Sequence, residues 1–317
     1  MRLIRRLADW PADATDGTVA TIGNFDGVHV GHRVMLEAVS ERAAALGVAT
    51  TVISFEPLPH EFFAPDASPG RLQGLRDRVA SLDACGIERL LLLPFDAAFA
   101  ARTADAFVRE VLVETLGVRH VVVGDDFRFG KERAGNLASL ERAGREHGFT
   151  VTACETVELG GERASSSRVR AHLAAGELDA AAALLGRPYR ISGRVVHGEK
   201  VGRTLGFPTA NVALGSHRPP LRGVFAVRAT DLDDGSCWPA VANLGERPTV
   251  GGRRLLLEVH VLDAAPELYG HHLAVDFVRR LRTEQRFDSL DALKAQIARD
   301  VDDARDVLAG GASDGGT

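Results

Sequence analysis

The chain has 317 residues, of which 45% are hydrophobic and 26% charged, and its net charge is −5. That length exceeds most single cores and suits two domains, with the composition of a soluble globular protein. The charge argues against broad nucleic-acid binding and no apolar run approaches a membrane span, so neither nucleic acid nor membrane is expected as a partner.

The basic start Met1-Arg2-Leu3-Ile4-Arg5-Arg6 has no apolar leader segment behind it, which points to the cytoplasm. Cys85, Cys154 and Cys237 are odd in number and far apart, as expected of reduced thiols and not of a disulfide framework or metal cage. Val19 to Ile22 reads as a buried strand, and Leu36, Val39, Ala43 and Leu46 then recur at helical spacing. Between them lies Gly23-Asn24-Phe25-Asp26-Gly27-Val28-His29-Val30-Gly31-His32. Glycines let the backbone approach a ligand just where a helix begins, and a helix N-terminus favours an anion. His29 and His32 could hydrogen-bond a phosphate whose charge grows during reaction. A zinc site is the alternative, but no further ligands follow at the usual spacing.

Gly23 to His32 resembles the HxGH element of nucleotidylyltransferases, in the longer form found in FMN adenylyltransferases. It is not a P-loop, because no Gly-Lys-Ser/Thr follows, nor is it the dinucleotide GxGxxG fingerprint.

Further apolar runs at Ala49–Phe55, Arg89–Leu93, His120–Gly124 and Thr150–Cys154 alternate with helical patterns such as Phe107, Val108, Val111, Leu112 and Thr115. This predicts a parallel sheet covered on both faces, with ligands beyond the carboxyl ends of its strands. The prolines of 57–70 suggest a lid over that edge. The loop Gly124-Asp125-Asp126-Phe127-Arg128-Phe129-Gly130-Lys131 should reach the same edge as Gly23–His32. Phe127 and Phe129 could pack on a flat ring, with Asp126 beside them. Taken alone, the loop reads first as a solvated turn with two anchoring phenylalanines.

Ser165-Ser166-Ser167-Arg168-Val169-Arg170 opens another helical pattern, and hydroxyls with arginines at a helix start make a second anion site. The run resembles the Ser-Ser-Thr-x-Ile-Arg element of the same family, which implies triphosphate binding by Ser166, Ser167 and Arg170. Ala171 to Leu185 reads as helical. At Gly186-Arg187-Pro188 the periodicity switches to alternating, so the domains are drawn at 1–187 and 188–309, with a disordered tail over 310–317.

Strands near Tyr189–Val196, Gly223–Arg228, Cys237–Asn243, Arg254–Leu262 and His272–Arg280 follow one another without helices, which suggests a small antiparallel barrel. A closing helix carries the stripe Leu290, Leu293, Ile297, Val301 and Leu308. Gly198, Gly202 and Gly206 recur every four residues, with Arg203 among them, and could wrap a loop round phosphates. Evenly spaced glycines can also mark plain turns. Thr209 and Asn211, two apart on an extended segment, offer neutral oxygens to a hard cation. In Leu255 to Leu262 the odd positions are apolar, so Glu258 and His260 project together from the other face. A carboxylate there can accept the proton of an attacking alcohol, or be only an exposed glutamate.

Gly-Phe-Pro-Thr-Ala-Asn, residues 206–211, looks like the signature of riboflavin kinases, and the two-domain order resembles that of the bacterial bifunctional riboflavin kinase/FAD synthetases. The resemblance implies a Rossmann-like nucleotidylyltransferase domain followed by the barrel, an α/β arrangement. It implies that Thr209 and Asn211 bind Mg²⁺ with ATP, that Glu258 is the catalytic base, and that Phe277, Arg279, Arg282 and Phe287 close over the flavin. Riboflavin, FMN and ATP are then the substrates, with no covalent enzyme intermediate; no oligomer is predicted. Two other classes stay open: a nucleotidyl transferase acting on a different phosphate beside a lone kinase, and a flavin binder that has lost one activity.

Overall fold

The computed structural model describes residues 1–12, 14–198, 206–215, 217–249 and 252–310. The chain folds into two compact units. One comprises Met1–Pro69 and Arg78–Ala164; the other takes Gly70–Asp77 and the chain from Ser165 onward.

The first unit opens with strand β1 (Arg2–Ile4) and continues through β2 (Thr18–Ile22), helix α1 (Val30–Leu46), β3 (Ala49–Glu56), α2 (Pro59–Phe63) and α3 (Leu75–Asp83), which contributes its residues from Arg78 on. Then come β4 (Arg89–Pro94), short helices α4 (Ala97–Ala100) and α5 (Ala104–Ala106), and a π-helix over Phe107–Thr115. They are followed by β5 (Val118–Gly124), the ribbon β6 (Arg128–Phe129) and β7 (Gly135–Asn136), α6 (Leu137–His147), β8 (Thr150–Cys154), and the ribbon β9 (Glu158–Leu159) and β10 (Glu162–Arg163). The six-stranded sheet runs β1-β4-β3-β2-β5-β8, and each pairing is parallel. Every residue of β2 is buried, as the apolar run predicts for a central strand. β8 lies at the edge and is mostly exposed, which an apolar run alone would not foretell. The chain leaves β2 towards β3 and later returns on its other side as β5, so the switch point lies between β2 and β5. One face of the sheet is covered by Phe107, Val108, Val111 and Leu112, which pack with Ile22, Ile53, Leu91 and Val121.

The second unit begins its main run with α7 (Ser166–Ala175) and α8 (Leu178–Leu185). The expected single helix over Ala171–Leu185 is thus broken, because Gly176 takes a left-handed conformation with φ 79° and caps α7. Gly186, also left-handed, ends α8 where the periodicity change was read. Six strands follow: β11 (Tyr189–Val196), β12 (Ala210–Val212), β13 (Gly223–Asp231), β14 (Cys237–Thr249), β15 (Gly252–Val261) and β16 (His272–Arg282). They close an antiparallel barrel in the order β11-β12-β15-β14-β13-β16. Alternation along β11 and in β15 from Leu255 on turns Tyr189, Ile191, Leu257 and Val259 into the core. Helix α9 (Leu290–Gly310) packs Val301, Ala304 and Leu308 on Val224, Ala226, Val241 and Leu262. Leu290, the first member of the expected stripe, is 67% exposed, so only the later turns of α9 are held by the barrel. Gly310 is helical and the rest of the tail lies outside the described residues.

Candidate active sites

In the first unit the turn after β2 is strained. Phe25 (φ 48°) and Val28 (φ 43°) are left-handed non-glycine residues, with Gly27 (φ 94°) between them. Each such residue costs about 1–3 kcal/mol, and strain of this kind gathers where a loop must be held in one functional shape. Burial supplies the restraint: Phe25 and Val28 are fully buried and Asp26 nearly so. The turn delivers the buried His29 as the N-cap of α1, where its Nδ1 accepts from the His32 N–H at 3.4 Å. That leaves the ring proton on Nε2.

The two imidazoles stack at 3.7 Å, and the Phe25 ring lies 5.0 Å from His32. Burial, with the neighbouring His29 adding to it, holds His32 well below the usual imidazole range, so it is neutral at pH 7. Its Nδ1 is buried with no hydrogen-bond partner among the described residues, an arrangement that suits a ligand atom still to arrive. Side chains at Gly31 and Gly23 would crowd the site: a Cβ at Gly31 would lie 3.3 Å from the His29 ring, and one at Gly23 would lie 3.1 Å from Phe25. Glycine there admits both rings.

β5, next to β2 with Thr21 opposite Val122, ends in the second predicted loop at the same sheet edge. Asp126 pairs with Arg163 at 2.7 Å, and that guanidinium keeps its carboxyl below the ordinary range. Phe127 and Phe129 stack at 5.4 Å. Phe129 is buried in the core against Phe107, so Phe127 is the half-exposed member of the pair. Phe55, Phe62, Phe95 and Phe99 form a further aromatic cluster, with ring contacts at 5.5–5.6 Å.

Ser166, Ser167 and Arg170 lie in the first turns of α7, which belongs to the second unit. The cap is Ser165, accepting from the Arg168 N–H at 3.3 Å, and Arg170 Nε donates to the Gly70 carbonyl at 2.6 Å.

In the barrel, register builds a row that spacing alone leaves unseen. Glu258 stands opposite Asn211 on one side and Asn243 on the other, so the three side chains share one sheet face. Glu258 is half-buried while its neighbours Leu257 and Val259 are in the core, as alternation predicts. His260 donates from Nδ1 to the Pro208 carbonyl at 2.8 Å and meets Phe207 edge-on, which fastens the segment leading into Thr209. A side chain at Gly198 would fall on the Asn211 amide, so glycine is required there by close approach. Gly206 is left-handed (φ 90°) and faces open space. Gly202 and Arg203 lie outside the described residues.

Beside Thr209 opens a cavity of about 320 Å³, lined by Val195, Pro208, Val259, Leu268 and Tyr269 among others. His197 packs on the Tyr269 ring at 4.1 Å. Asn243 and Tyr269 carry no predicted role. Asn243 lies on β14, and only strand pairing brings it to Glu258. Of the flavin-closing residues, Phe277 is buried against Tyr189 and Phe225, and Arg279 is exposed. Arg282 is clamped bidentately by Asp300 at 2.8–3.1 Å and lies over the half-buried Phe287.

A family model for FAD synthetase matches residues 12–168, and one for riboflavin kinase matches residues 185–308. The bifunctional riboflavin kinase/FMN adenylyltransferase of Escherichia coli K12 is 49% identical over 308 residues, 97% of this chain and 98% of that protein. The protein of the same description from Pseudomonas fluorescens is 50% identical, covering 98% of each chain. A solved structure described as a macrolide-efflux protein from Streptococcus pneumoniae is similar with a TM-score of 0.82 and 28% identity, covering 96% of this chain and 99% of that one. No helix among the described residues is long and apolar enough to cross a membrane. Two family models in succession and near-full-length identity of about one half leave one assignment: the chain belongs to the family of bifunctional riboflavin kinase/FMN adenylyltransferases.

Proposed function

We propose that the chain makes FMN from riboflavin and then FAD from FMN, with ATP as co-substrate in both steps. The observation that carries the kinase reading is the row Asn211–Glu258–Asn243 on one face of the barrel sheet. Glu258 takes the proton of the ribityl 5′-hydroxyl as that oxygen bonds to the γ-phosphorus of ATP, and ADP leaves. The Thr209 hydroxyl and the Asn211 amide are hard neutral oxygen donors next to a carboxylate, a set that suits Mg²⁺. Bound there with ATP, Mg²⁺ supplies charge neutralisation on the phosphates. Gly198, Gly202, Arg203 and Gly206 are assigned to the phosphate loop, and Arg279 and Phe287 to the flavin.

In the adenylyl step a phosphate oxygen of FMN bonds to the α-phosphorus of a second ATP and pyrophosphate leaves. The attacker is already an anion, so the protein needs no strong base. His29 and the neutral His32 donate hydrogen bonds to developing phosphate charge, and the α1 N-terminus adds its dipole. Gly23, Phe25 and Gly31 shape that turn. Ser166, Ser167 and Arg170 are assigned to the triphosphate, and Asp126 and Phe127 to the flavin side, with the core residue Phe129 stacked behind Phe127. The functional division is drawn between Arg187 and Pro188, with 1–187 for adenylylation and 188–309 for phosphorylation.

The test is a time course with riboflavin, ATP and Mg²⁺, the flavins being separated by chromatography. FMN should appear first and FAD after it. FMN that accumulates without FAD, even when FMN and ATP are supplied, would refute the adenylyl reading, and untouched riboflavin would refute the kinase.

A further inference from the structure

Arg78 on α3 is only 2% exposed, an unusual place for a guanidinium. Its Nη1 donates to the Asn24 carbonyl at 3.2 Å and reaches Ser54 Oγ at 3.4 Å, while Nη2 meets Glu56 Oε2 at 3.2 Å. Ser54 Oγ donates to the same Asn24 carbonyl at 3.3 Å. Asn24 therefore receives two donors at one oxygen, which sets the plane of the peptide that enters the left-handed Phe25. The Phe25 ring in turn lies against His32, and His32 stacks on His29. A buried cation is costly unless it is paired and hydrogen-bonded. Glu56 neutralises this one, and its remaining reach is aimed at the turn that carries both histidines. An apolar residue could fill the same inward position of α3 but could not grip a carbonyl.

We propose that Arg78 is a positioning residue for adenylyl transfer. Through the Asn24–Phe25 peptide it keeps His32 and His29 in the orientation that meets the reacting phosphate. This deepens the adenylyltransferase reading of those histidines and rests on it.

The test uses the full-length chain and measures kcat and KM for FAD formation from FMN and ATP, with FMN formation from riboflavin as the control for folding. The variants are Arg78→Gln, Arg78→Lys, His29→Ala and the double Arg78→Gln/His29→Ala. Arg78→Gln should lower kcat about tenfold with KM nearly unchanged, since a loosened turn loses transition-state contacts more than ground-state binding. In the His29→Ala background the same change should cost less than about twofold, because both act through one constellation. Arg78→Lys, whose ammonium still reaches Glu56 and the carbonyl, should stay within about threefold of the parent. FMN formation should be unchanged throughout. Multiplying losses in the double variant, or Arg78→Lys as impaired as Arg78→Gln, would overturn the proposal, and the lysine variant decides even if glutamine perturbs folding. His29→Ala impaired beside an unimpaired Arg78→Gln overturns this inference alone. Unimpaired His29→Ala would bring down the site reading beneath it.

Discussion

Glu258 and His32 show how a side chain's surroundings select its chemistry. Glu258 sits between Asn211 and Asn243 on a half-buried sheet face, a setting from which a carboxylate can accept a proton from an attacking alcohol. Glu258→Gln keeps the shape and removes the base, so FMN formation should fall by about 10²-fold or more, measured as initial rate at saturating ATP. His32 is shifted the other way, because burial disfavours its charged form and His29 adds to that. An imidazole whose folded pKa is depressed binds fewer protons than in the unfolded chain, so stability is fully present above about pH 6.5 and is lost as pH falls below it. Unfolding midpoints should therefore decline between pH 7 and 5, and His32→Gln should flatten that slope.

At the scale of elements, the two sites are built by opposite means. The β2–α1 turn is a strained connection held by burial of Phe25 and Val28, whereas the kinase row is assembled by register between three regular strands. Helix α9 is fixed to the barrel by the buried Asp300, which takes both arms of Arg282 and also receives Gln296 at 2.9 Å. Asp300→Asn weakens a charge-assisted pair and should cost about 2 kcal/mol, read as a lower denaturant midpoint. Since Arg282 lies over Phe287, the same variant should raise the KM for riboflavin.

At the scale of the whole molecule, each proposed activity draws its reacting residues from a different stretch, so the activities should separate by mutation. Glu258→Gln should still convert supplied FMN to FAD, and His29→Ala should form FMN at the parental rate while FAD formation falls about 10²-fold. Chromatography of the two reactions side by side checks this. A protein that lost both activities in either variant would not be two catalysts on one chain.

The fold was legible because its signals are local. Apolar runs separated by helical spacing declare a parallel sheet, alternation from Leu255 to Val261 declares a half-buried strand, and left-handed glycines at Gly176 and Gly186 end helices. Of these, Gly186 was readable as a stop and Gly176 was not, since alanines on both sides keep a helical pattern going. β1 escaped notice because three residues are too few to show a period. The π-helix escaped because Phe107, Val108, Val111 and Leu112 share a face under either hydrogen-bond pattern. The sites divide along the same line. The sequence by itself determined the residue types and spacings that name the chemistry: two histidines at a helix mouth, a threonine and an asparagine two apart, and a glutamate on a polar face. Only the tertiary structure decided that Asn243 joins Glu258, that Phe129 belongs to the core, and that Arg78 reaches Asn24. Those are contacts between residues far apart in the chain, and no local pattern encodes which strand pairs with which or which charge is drawn inside.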